Sequence, residues 1–127
     1  MAPLIRPGDR LVVRWMETAT APRAGDVVVR RCDDGLFVAH RVLRAAPCQV
    51  VSKGDASIYE EKWDFQELWG VAQGLETASG RSIDLGGALQ RTVFRVLSLA
   101  HGVLPPLLRK FPRALMWAAA CVVRGRQ

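Results

Sequence analysis

The chain is short of several things, and each shortage excludes a class of protein. Cysteine occurs three times, at 32, 48 and 121, with no Cys-x-x-Cys pair and no Cys/His cluster. A zinc site and a disulfide framework are therefore not expected, and free thiols suit a reducing compartment. Uncharged apolar stretches are short: 96–108 is broken by Pro105-Pro106, and 114–123 covers ten residues. A membrane span needs roughly 20 apolar residues, so none is expected. Met1 to Asp9 has no apolar core of signal-peptide length. Acid is missing from one region only. Residues 1–90 hold 11 basic and 12 acidic side chains, whereas 91–127 hold seven basic ones and no acid. The net charge of +6 therefore belongs to a tail.

What remains is a chain of 127 residues, half of them apolar. That is enough for one domain with a core and too little for two of ordinary size. Short apolar runs are separated by turn chemistry. Pro7-Gly8-Asp9 precedes Leu11-Val12-Val13 and Trp15, and Pro22-Arg23-Ala24-Gly25-Asp26 precedes Val27-Val28-Val29. Asp33-Asp34-Gly35 predicts a tight turn into a strand from Leu36 to Leu43. Gln49-Val50-Val51 is a further strand, ending at Lys53-Gly54-Asp55. Residues 56–68 read as a polar, aromatic loop. Strands return at Leu68 to Ala72 and at Arg81 to Leu85.

After Gly86-Gly87 the period changes from two to 3.6. Leu89, Val93, Val96, Leu97, Ala100 and Leu104 line one side of a helix, with Arg91, Arg95 and Ser98 on another. Pro105-Pro106 ends it, and Pro112 suits the start of a second helix over 113–123. The expected architecture is a mainly β body over 1–86 with a basic, apolar α-helical tail over 87–127. Helices carrying only positive charge suit an anionic membrane face, reached through 88–126; the alternative is that the first helix packs on the β body. Trp15, Trp63, Trp69 and Trp117 read as core or membrane-edge aromatics.

Two residues invite chemistry. His40, followed by Arg41, sits on the strand before Lys53-Gly54-Asp55, so an imidazole and a carboxylate lie on adjacent strands. A general base and its orienting acid need that arrangement. A histidine alone on a strand is more often a surface residue, and Asp55 after Gly54 also suits a turn cap. Arg41 and Lys53 are expected to form structural ion pairs. Ser52, Ser57, Ser79 and Ser82 lie in no nucleophile context, and His101 reads as a surface or interface residue of the helical tail.

Three motifs, in order, resemble the signal peptidase I family and its small bacterial relatives, which share a β-rich catalytic fold with self-cleaving SOS repressors. They are Met1-Ala2-Pro3-Leu4-Ile5-Arg6-Pro7-Gly8-Asp9, Gly25-Asp26-Val27-Val28, and His40-Arg41 followed by Lys53-Gly54-Asp55-Ala56. The resemblance runs from Met1 to about Ala72, and the His-Arg pair is similar to the branch in which histidine replaces a lysine base. It implies a serine endopeptidase with His40 as general base, Asp55 as the acid that fixes the imidazole tautomer, and a second acid at Glu60 or Glu61, with Glu61 preferred. It implies no cofactor and no metal, and a polypeptide substrate bound in extended conformation. In that branch the nucleophile opens a Ser-Met-x-Pro motif and would stand just before Met1. The expectation is a truncated start, inactive as written, at a membrane periphery or in the cytoplasm. The contrasting expectation is a non-catalytic membrane-surface module that retains the fold. Nucleic acid is not expected as a partner, because no helix-turn-helix precedes the body and the tail lacks base-reading side chains.

Overall fold

In the computed structural model the described residues are 5, 8–16, 21–55 and 57–103. Among them are seven strands and one α-helix: β1 (Arg10–Trp15), β2 (Val27–Arg31), β3 (Phe37–Ala45), β4 (Gln49–Lys53), β5 (Glu61–Asp64), β6 (Leu68–Glu76), β7 (Ser82–Asp84) and α1 (Ala88–Val103). The strands form one antiparallel sheet in the order β1-β6-β2-β3-β4-β5, with β7 on β6. The mainly β architecture with a helix toward the C-terminus is as the sequence predicts. The second predicted helix, over 113–123, and Trp117 lie outside the described residues.

Side chains alternate across each strand, so the sheet has two apolar faces. One face carries Val28, Val42, Val50, Trp63, Leu68 and Val71. The other carries Val27, Ala72, Leu75 and Leu85, with Ile5, Leu11, Ala39 and Ile83 packed against them. The central strand β2 feeds both, which is why it reads Val-Val-Val without alternation. Bulges adjust the count: Leu43 on β3 and Trp69 on β6 are extra residues opposite unbroken partners.

The predicted loop over 56–68 contains structure. β5 pairs with β4, with Val50 opposite Trp63 and Ser52 opposite Glu61, and a 3-10 turn follows over Phe65–Glu67. Only Trp63 of the four β5 residues is buried, while Glu61, Lys62 and Asp64 face solvent. One apolar residue among three charges leaves almost no alternation to read. The backbone ladder and the burial of a single indole hold this strand in place.

Helix α1 is seated through a glycine. Gly25 has φ +95°, and its would-be Cβ lies 2.6 Å from the Arg91 carbonyl oxygen, so only glycine admits this approach. Arg91 donates through Nη1 to the Gly86 carbonyl at 2.8 Å and lies 3.6 Å from Oδ1 of Asp26. Asp26 in turn accepts the Arg23 amide at 2.8 Å. Among the described residues no helix is long and apolar enough to cross a membrane.

Candidate active site

The site is laid out by three consecutive residues of β3. His40 and Arg41 point to opposite faces of the sheet, as neighbours on a strand must. Arg41 is opposite Lys53, and Val42 is opposite Ser52. His40 therefore shares a face with Val42, Ser52 and Glu61, whereas Arg41 and Lys53 share the other.

On the Arg41 face, the guanidinium and Asp55 form a bidentate pair, Nε to Oδ1 at 2.8 Å and Nη2 to Oδ2 at 2.9 Å. Nη1 donates to the Gly25 carbonyl at 3.0 Å. Both side chains are withdrawn from solvent. Fork-on-fork pairing of this kind is among the stronger polar contacts a protein makes, and it links the β3–β4 hairpin to the turn that seats α1. With both carboxylate oxygens committed to Arg41, no hydrogen bond joins Asp55 to the imidazole. The tautomer-fixing role implied for Asp55 has no contact to carry it in this structure. The reason is parity: Asp55 is one residue beyond the position that faces His40. Lys53 is buried on the same face, and burial lowers its pKa from 10.5 against the opposing pull of Asp55 and Glu60.

On the other face, the His40 ring stacks on Trp63 with centroids 4.6 Å apart and planes 17° from parallel. Glu61 bridges the two. Its Oε2 accepts the indole N–H of Trp63 at 2.9 Å, and its Oε1 lies 3.9 Å from Nδ1 of His40. Nδ1 is buried and has no hydrogen-bond partner. A side-chain rotation bringing Oε1 about 1 Å closer would close a normal hydrogen bond. Arg30 also lies over the indole, 4.8 Å from its centroid, and pairs with Glu67 at 3.2 Å. Glu60 does not join this group; it binds Arg44 at 2.9 Å on the exposed surface. The sequence left the second acid open between Glu60 and Glu61, and of the two it is Glu61 that faces His40.

Nε2 of His40 looks over Gly54, where an added Cβ would sit 3.4 Å from it and 3.5 Å from Cβ of Ser57. Burial lowers the His40 pKa below 6.5; the negative charges of Glu61 and Asp55 oppose this, and Arg30 reinforces it. The imidazole is therefore neutral at pH 7. A hydrogen bond closed between Nδ1 and Glu61 would place the proton on Nδ1 and leave the lone pair on Nε2, the form that accepts a proton.

The hydroxyls nearby differ in what they can offer. Ser57 is committed to a local turn, accepting the Tyr59 amide at 3.0 Å and facing the Tyr59 carbonyl at 3.3 Å. Ser52 shares the face of His40, but it is fully buried and its Oγ has no hydrogen-bond partner. Ser79 and Ser82 lie at the β6–β7 turn, and the side chain of His101 lies outside the described set. Among the described residues no group of three or more His, Cys, Asp or Glu side chains is arranged to hold a metal ion.

No family model, curated protein or solved structure matches the chain. The functional reading therefore rests on this cluster. Its sequence signal was partial. His40 and Glu61 were legible, whereas Trp63 was hidden in an apparent loop. Its Glu-Lys-Trp-Asp setting, one apolar residue between charges, was the only hint of a strand.

Proposed function

We propose that the chain is the β body of a serine endopeptidase of the signal-peptidase type, with His40 as general base. One observation carries this reading: a half-buried, neutral imidazole whose Nδ1 faces a carboxylate, the Glu61 Oε1, at 3.9 Å. Nε2 would take the proton of an attacking serine hydroxyl and return it to the leaving amine. Glu61 would stabilise the imidazolium formed in between, a role that depends on its being held by the Trp63 indole. Asp55 acts as a positioning residue, fixing Arg41 and through it the strand that carries His40. The terminal strand β5 brings Glu61 and Trp63 to the site and offers an outer edge along which an extended peptide could add.

The resembled family draws its hydroxyl from a Ser-Met-x-Pro motif, so the test uses a variant with a serine added before Met1 behind a short leader. Hydrolysis of a fluorogenic peptide with small side chains before the cut is expected, with a loss of about 100-fold or more in kcat/KM on His40→Ala. The chain starting at Met1 is expected to leave the same peptides intact. A folded serine-bearing chain that cleaves no such peptide, or that cleaves equally well as His40→Ala, overturns the assignment.

A further inference from the structure

Three successive strands each place one polar side chain on the His40 face: His40 from β3, Ser52 from β4 and Glu61 from the edge strand β5. Ser52 stands directly across from Glu61 on one side and from Val42, two residues along β3 from His40, on the other. To reach Nδ1 of His40, the Glu61 side chain therefore has to cross β4 at Ser52. Among the described residues, Nε of Arg30, Nδ1 of His40 and Oγ of Ser52 are buried on this face without a hydrogen-bond partner. Arg30 has the indole of Trp63 and the carboxylate of Glu67 as substitutes. His40 Nδ1 and Ser52 Oγ have no substitute of that kind among the described residues. A buried polar atom left in this way costs free energy that one partner would recover. The 3.9 Å gap between Nδ1 and Oε1 of Glu61 spans the strand that carries Ser52.

We infer that Ser52 is a positioning residue: its hydroxyl donates to Oε1 of Glu61 and so holds that carboxylate on Nδ1 of His40. One rotation of Glu61 then satisfies both orphaned atoms. Oε1 accepts the Nδ1–H and the Oγ–H, while Oε2 keeps the indole N–H of Trp63, which is within what one carboxylate accepts. Glu61 is half-exposed at the sheet edge, and its side chain loses rotamer freedom when it is held. A hydroxyl on a fully buried strand position gives it a fixed anchor. Val42 offers the hydroxyl no polar side-chain atom, and Arg41, Lys53 and Asp55 belong to the opposite face. Being fully buried, Ser52 cannot meet a peptide bond, so it serves the base and is not the nucleophile. The catalytic consequence rests on the peptidase reading of His40; the contact itself does not.

The test is a double-mutant cycle on the full chain, read by NMR titration of His40. The charged groups acting on the ring are Glu61 on β5, Arg30 on β2 and Asp55 beyond β4. Ser52→Ala should lower the His40 midpoint, by less than Glu61→Ala does, because the carboxylate that favours the imidazolium is no longer held against the ring. Above the midpoint, the ring-nitrogen chemical shifts should report a smaller share of the Nδ1–H tautomer. In the Glu61→Ala background the same substitution should change neither reading. If Ser52→Ala does not fold, Ser52→Cys, close in shape and a weak donor, takes its place in the cycle. In the serine-bearing chain, Ser52→Ala should lower kcat by about tenfold with KM unchanged. An unchanged midpoint and tautomer overturn the inference. So does an equal shift in the Glu61→Ala background, which would assign the effect to packing. If the cycle holds and no serine-bearing chain cleaves a peptide, the peptidase assignment falls alone and Ser52 keeps its hold on Glu61.

Discussion

Arg41 and Asp55 show how a buried pair can hold in place the strand that carries His40. Two full charges have been taken out of water, and their desolvation is offset only because the geometry is bidentate and the spare N–H finds the Gly25 carbonyl. Removing one partner strands the other. Asp55→Ala is expected to cost about 3–5 kcal/mol, read as a fall in the urea midpoint without a change in slope. Across the hairpin, His40 answers to different neighbours. Its proton NMR titration should show a midpoint below 6.5, because burial disfavours the imidazolium. Glu61→Gln removes a charge that raises that pKa, so the midpoint should drop further. An unchanged midpoint in Glu61→Gln would mean that the carboxylate does not sense the ring.

At the scale of elements, β5 hangs on a single side chain. Trp63 is its only buried residue, and it also supports the stack on His40 and the hold on Glu61. Trp63→Ala should cost about 3–5 kcal/mol. It should also raise the His40 midpoint toward 6.5, since the stacked indole covers one face of the ring and burial is what lowers it. The helix depends on Gly25 in the same way. Gly25→Ala places a methyl against the Arg91 carbonyl and demands φ +95° of a residue that resists it. A loss of about 1–3 kcal/mol is expected, with the amides of α1 losing hydrogen-exchange protection before those of β2 and β3. Trp15, Trp69 and Phe37, from β1, β6 and β3, form a ring cluster at 4.6 and 4.7 Å that stays largely exposed. The sequence allowed core or membrane-edge positions for the tryptophans, and among the three described ones only Trp63 is core.

For the whole molecule, two buried bases set the direction of the pH dependence. The folded state binds protons less readily than the unfolded chain at His40 and at Lys53. Each group therefore makes stability rise with pH between its lowered folded value and its unfolded value, 6.5 for His40 and 10.5 for Lys53. As pH falls from above 6.5 toward the folded value of His40, the protein should lose stability. His40→Gln should lose less over the same interval. Urea midpoints of both proteins on each side of 6.5 check this, and parallel falls would exclude His40 as the source.

The order of short strands, the turns at Gly25 and Gly35 and the helix after Gly87 were legible in the chain, because each rests on neighbours within a few residues. Alternation and turn glycines are local properties, and so is the confinement of net positive charge to the last 37 residues. Pairing is not local. That His40 and Asp55 come from adjacent arms of one hairpin could be read, though Asp55 falls in the turn just beyond β4; which face each takes depended on register, and placing Arg41 opposite Lys53 sent Asp55 to the other side. For the same reason β5 passed for a loop until a partner strand supplied its hydrogen bonds. Which side of α1 meets water was likewise undecided by a stripe of leucines and valines. The close seat of Arg91 on Gly25 turns the arginine inward, and Leu89, Val96 and Leu99 are left exposed.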